Sequence, residues 1–139
     1  MTTGEVKIKI TGVQIMGEEQ DVTVMEAQGD YRKTEDGCVI EYIEKPAEGM
    51  EVRNRIVMDS ESTVISKSGA VESEMVFIPG KESTVEYKTP FGVIDMTICC
   101  EDVIVDEKEY ACEITILYDL CSGAQLVAHC NTRIEAEII

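Results

Sequence analysis

The sequence predicts an all-β chain folded as a single antiparallel barrel of about eight to ten strands. Three observations carry this. Apolar residues recur at every second position over long stretches, turns rich in Gly and Pro separate the stretches, and no segment repeats apolar residues at helical spacing. A chain of 139 residues is the size of one domain and buries enough surface to fold without cross-links. No linker, repeat or low-complexity segment divides it, so residues 1–139 read as one barrel domain.

The elements follow in order. In 5–11, Val6, Ile8 and Ile10 alternate with Lys7, Lys9 and Thr11, the pattern of a half-buried strand. After Gly12 the apolar parity switches to Val13 and Ile15, which predicts a β-bulge at the glycine. Gly17-Glu18-Glu19 is read as the turn into a second strand at 20–29. Cys38–Glu44 and Glu51–Asp59 form the next pair around Lys45-Pro46-Ala47-Glu48-Gly49. In the second of these, Val52, Asn54, Ile56 and Met58 share a face, and Arg53 and Arg55 take the opposite one. Shorter strands are expected at 62–67, 73–78 and 83–89. A long one at 91–105 puts Ile94, Met96, Ile98 and Cys100 together. Residues 110–120 and 126–138 alternate most cleanly, joined by a hairpin at Ser122-Gly123. With one face polar and one apolar throughout, pairing is antiparallel, and closing the sheet removes its unpaired edges.

The charge of −16 disfavours nucleic acid and anionic membrane surfaces, both of which require Lys/Arg-rich faces. Half of the twelve bases lie between positions 32 and 67: Arg32, Lys33, Lys45, Arg53, Arg55 and Lys67. Without a signal-like apolar run at the start or an apolar stretch of membrane length, a cytoplasmic location is expected. The six cysteines are then read as reduced, buried, hydrophobe-like side chains. No C-x-x-C occurs, Cys99 and Cys100 point to opposite faces of their strand, and His129 is the single histidine. No metal site or cofactor is therefore expected.

Lys67-Ser68-Gly69-Ala70-Val71, Gly80, Thr84, Tyr87, Thr89-Pro90-Phe91-Gly92 and Tyr118-Asp119-Leu120 form a pattern. In it the chain resembles the YwiB-like proteins, a family of uncharacterised bacterial proteins found mainly among Firmicutes. The motif residues lie between 64 and 120, and strand order and lengths fit over nearly the whole chain. The resemblance implies a calycin-like β-barrel, related in shape to lipocalins and fatty-acid-binding proteins. It carries over neither an activity nor any catalytic residue.

For function, the residues leave three classes. A barrel of this size holds either a filled core or one small ligand. The first expectation is non-catalytic binding of a small amphipathic or anionic molecule in the interior or mouth, with polar contacts from Arg53, Arg55, Lys67, Asn54 and Tyr87. Asn54 stands among apolar neighbours, where a buried amide needs a partner. Ser66, Thr132 and Glu44 interrupt apolar faces in the same way. Arg53 and Arg55 offer fork-shaped donors to an anion. The plainer readings are mutual pairing for the polar groups and a solvated face for the arginines. The second expectation is an interaction module, forming a homodimer or meeting a basic partner through a strand edge or apolar patch. The third is a carboxylate-dependent enzyme, for which no acid stands out; His129 points to the polar side, so no triad is assembled around it. Phe91 is expected to plug a barrel end, with Pro90 and Gly92 shaping a tight turn.

Overall fold

The alternating stretches become ten strands in the computed structural model, which describes residues 1–139. They are β1 (Gly4–Met16), β2 (Glu19–Lys33), β3 (Cys38–Glu44), β4 (Val52–Met58), β5 (Thr63–Gly69), β6 (Ser73–Phe77), β7 (Glu82–Thr89), β8 (Gly92–Glu107), β9 (Ala111–Ser122) and β10 (Gln125–Ile138). All pair antiparallel in one sheet ordered β6-β5-β4-β3-β2-β1-β10-β9-β8-β7. Every pair except β1–β10 joins strands that are consecutive in the chain, the arrangement that short hairpin turns dictate. The sheet curls until its two end strands, β6 and β7, meet. There they share one bridge, Glu72 with Lys88, in place of a ladder. The result is an antiparallel barrel that is nearly closed.

The inward residues form one core. Val6, Ile8, Ile40, Ile56, Ile98, Ile114, Ile116 and Ile134 are all but inaccessible to solvent, and Phe77 and Tyr118 meet across it with ring centroids 4.9 Å apart. The expectation of six buried thiols holds for four: Cys38, Cys100, Cys112 and Cys130 are buried, while Cys99 and Cys121, on the outward parity of β8 and β9, are only partly so. All six are unpaired thiols.

Three local expectations are overturned. Gly12 is not a bulge, because the register of β1 runs unbroken past it against both β2 and β10. The parity switch there has another origin. Beyond Gly12 the β1–β2 hairpin carries apolar side chains on its outer face, with Ile15, Val22 and Val24 exposed. The irregularities fall instead between Cys100 and Asp102 on β8 and between Leu126 and Ala128 on β10. Phe91 plugs nothing and is 98% exposed at the tip of the β7–β8 hairpin. The Thr89 hydroxyl fixes that tip, accepting the Phe91 N–H at 3.2 Å and donating to the Gly92 carbonyl at 3.0 Å. Ile94 and Leu126, near the starts of β8 and β10, and Tyr110, just ahead of β9, carry inward parity in the sequence but are also exposed.

Candidate functional site

Four register partners draw a line across the barrel wall. Tyr42 on β3 pairs with Asn54 on β4, Asn54 with Lys67 on β5, and Lys67 with Ser73 on β6. Because facing partners in a ladder point the same way, all four side chains turn inward together. Lys67 is the hub. Its ammonium donates to the Asn54 side-chain oxygen at 2.6 Å and to Glu44 Oε1 at 3.0 Å. The buried Asn54 amide nitrogen in turn donates to the Val52 carbonyl at 3.3 Å. Burial first, then the nearby Glu44 carboxylate, raises the phenol pKa of both Tyr42 and Tyr87. Tyr87 reaches this group from β7, on the other side of the seam.

The seam is where the sheet fails to close. Glu72 and Lys88 exchange two backbone hydrogen bonds of 2.9 Å, so their backbone groups face each other. Antiparallel alternation then turns the backbone groups of Glu74 and Val76 on β6, and of Thr84 and Glu86 on β7, toward the same gap. The Val76 carbonyl is taken by the Ser83 hydroxyl at 2.8 Å. The remaining groups border an open groove of about 510 Å³, whose lining also includes Lys67 and Ser73. The gap is thus a slit along the wall, and Lys67 and Ser73 of the hub belong to its lining. At its inner lip the Ser73 hydroxyl is buried and makes no hydrogen bond. Outside, Glu72, Glu74, Glu86 and Lys88 form the rim, with Lys88 Nζ 3.4 Å from Glu86.

Of the five residues singled out in the sequence, the fold brings together Asn54, Lys67 and Tyr87. Arg53 and Arg55 stand on the outside of β4, exposed, and take no part in this group. Ser66 likewise faces outward, as the partner of Arg55. Thr132 lies within reach of the Tyr118 hydroxyl at 3.4 Å, and exposed His129 binds Asp119 at 2.6 Å. Ser73 and Tyr42 complete the group without having been singled out. Ser73 was legible, since it occupies an inward parity position with Met75 and Phe77. Two carboxyls shift clearly, and both shift down: Asp59 through the backbone N–H groups of Glu61 and Ser62, and Glu107 through Lys33 and the N-terminus. Neither shift prepares a proton donor near neutral pH.

A ten-stranded, nearly closed antiparallel barrel with a polar cluster behind a lateral slit defines the class of protein. The chain belongs to the family described as "Domain of unknown function (DUF1934)", whose model matches residues 8–134. In structure it is similar to the ywiB protein from Bacillus subtilis, with a TM-score of 0.87 at 21% identity, over 99% of this chain and 93% of that one. At that identity the likeness establishes the fold. No curated protein matches the chain in sequence.

Proposed function

We propose that this protein is a non-catalytic binding barrel whose small polar ligand enters through the β6–β7 slit and contacts Lys67, Ser73 and Asn54. One observation carries the reading: the buried Ser73 hydroxyl has no partner and lies beside the Lys67 hub, at the inner end of an open groove. A buried hydroxyl without a hydrogen bond is costly, and a ligand group would satisfy it. The charges speak to the kind of ligand. Glu44 already balances Lys67, three glutamates border the slit, and the Arg53 and Arg55 guanidiniums lie outside. Those features favour a neutral or weakly cationic polar molecule over the anion expected from the basic segment. The packed core favours a ligand at the mouth over one threaded through the interior.

Native mass spectrometry of gently purified protein, compared with its denatured mass, tests this. An adduct that is present in the wild type and absent from Lys67→Met and Ser73→Val carries the reading. A bare mass, together with no thermal shift in a screen of small polyols, sugars and amines, overturns it.

A second reading rests on a separate observation. Ile15, Val22 and Val24 are 42%, 52% and 56% exposed on the outer face of β1 and β2. Contiguous exposed apolar side chains mark interaction sites, and a second copy of the chain is the natural partner for a self-complementary patch. Sedimentation velocity decides it: a dimer at about 0.1 mM that Val24→Lys abolishes supports self-association, and a monomer at about 1 mM removes it.

A further inference from the structure

Met58 lies four residues along β4 from Asn54, about 13 Å away at the rise of an extended strand. It therefore belongs to the opposite end of the barrel from the Lys67 hub. That end holds a second pocket of about 260 Å³. Its wall is apolar, formed by Met58, Phe77, Val103 and Val105, and its rim is acidic, formed by Asp36, Asp59 and Glu61. No basic residue lines it.

The rim alone would be an ordinary solvated acidic turn. The floor makes the difference. Thr63 pairs with Met58 on one side and Phe77 on the other, so its side chain turns inward with theirs. It lines the pocket, is 1% exposed, and its hydroxyl makes no hydrogen bond. From rim to floor the pocket thus runs negative charge, apolar wall, unsatisfied hydroxyl. No three carboxylates or other ligating groups converge closely enough for a metal ion, and an apolar wall suits a carbon stem.

We infer that this end of the barrel binds a short aliphatic amino alcohol. Its ammonium sits among Asp36, Asp59 and Glu61, its stem lies against Phe77, Met58 and the β8 valines, and its hydroxyl meets Thr63. The Asp59 carboxylate is held ionised by the Glu61 and Ser62 backbone N–H groups, both at 2.8 Å to Oδ1. One of its oxygens is thereby turned into the loop, and the other is the one available to an ammonium. The pocket is slightly below the size range of drug-sized sites, which sets the ligand at a few carbons.

The experiment uses three probes on the intact protein: 5-amino-1-pentanol, pentylamine and pentanoate. Binding is followed by backbone amide shifts. The expected result is saturable binding of the amino alcohol, with shifts confined to residues 58–63, 77–78 and 103–105. Pentylamine binds about tenfold more weakly, because it leaves the Thr63 hydroxyl unpaired, and pentanoate does not bind. Thr63→Val removes the preference between the two amines, Thr63→Ser keeps it, and the Asp36→Asn, Asp59→Asn pair weakens both amines. Lys67→Met leaves all of this unchanged, which separates the pocket from the slit. No saturable binding in the millimolar range, equal affinity for the two amines in the wild type, or an undiminished preference in Thr63→Val overturns the inference.

Discussion

Lys33 Nζ holds both oxygens of Glu107, at 2.8 and 2.9 Å, and the N-terminal ammonium of Met1 binds the same carboxylate at 2.9 Å. Lys33 ends β2 and Glu107 ends β8, with β1, β10 and β9 between them in the sheet. The contact therefore spans the end of the barrel and does not follow a ladder. Directly inside it lie their register partners, Cys38 and Cys112.

This clamp gives the protein a defined response to acid. The hydrogen bonds from Lys33 and then from the N-terminus hold the Glu107 pKa below its ordinary value. A carboxylate depressed in the folded state adds stability above its unfolded pKa, about 4.3, and loses it as pH falls through the folded value. Glu107→Gln is thus expected to unfold at lower urea than the wild type above about pH 5, with the two midpoints converging as the pH falls below the ordinary carboxylate range. The difference shrinks in high salt, since the clamp is largely exposed. A gap between the urea midpoints that is the same at every pH would exclude the clamp as its source.

The Lys67 hub predicts an ordered pair of losses. Lys67→Met keeps the stem but leaves the buried Asn54 oxygen without its donor, an expected cost of about 1–3 kcal/mol. Glu44→Gln leaves the 2.6 Å bond to Asn54 in place and weakens only a pair whose side chains are 23% and 28% exposed. Its expected cost is below about 1 kcal/mol. Chemical denaturation of both variants checks the order, and a larger loss for Glu44→Gln would place the hub's stability in the ion pair.

The core predicts a sharper contrast. Phe77 is 1% exposed and tilted 60° against Tyr118, so Phe77→Ala removes a buried ring and opens a cavity. The expected cost is about 3–5 kcal/mol. Tyr118→Phe keeps the ring and gives up only a 3.4 Å contact with Thr132, for less than about 1 kcal/mol. Equal destabilisation by the two would mean that the hydroxyl, and not the packing, carries this part of the core.

Period-two alternation made most of this fold legible, because one buried face forces it on every strand. Val52, Asn54, Ile56 and Met58 face inward and Arg53 and Arg55 outward, as their parity demands. Alternation failed where it stopped reporting burial. Beyond Gly12 the hairpin outruns the core and its outer face is apolar, so a parity switch mimicked a bulge. Phe91 is apolar yet exposed for a similar reason, being at a hairpin tip where no layer covers it. For the site, Asn54 was visible as a polar residue in apolar company, whereas Lys67 stood out only as one of the clustered bases, and the apolar face of β5 was read on the parity of Ser66 instead. The slit was not. It depends on β6 and β7, neighbours in sequence, ending at opposite sides of the sheet, which no local pattern encodes.

The thiols provide a last test, this time of burial. Cys38, Cys100, Cys112 and Cys130 are enclosed, and Cys99 and Cys121 are partly exposed. The neighbouring Cys38 thiol, and then burial, push the Cys112 thiol up, while burial raises Cys100 and Cys130. Cys99 is raised by desolvation and then by Glu82, whose carboxylate lies 3.7 Å from its sulfur. Since the thiolate is the reacting form, a disulfide reagent near pH 8 is expected to modify Cys121 first and Cys99 more slowly. Glu82→Gln speeds the Cys99 reaction by removing the neighbouring charge. The four enclosed thiols react only at the rate at which the barrel opens, and in denaturant all six react together. Fast modification of Cys38 or Cys112 in the folded protein would show that the end of the barrel beneath Lys33 and Glu107 is open.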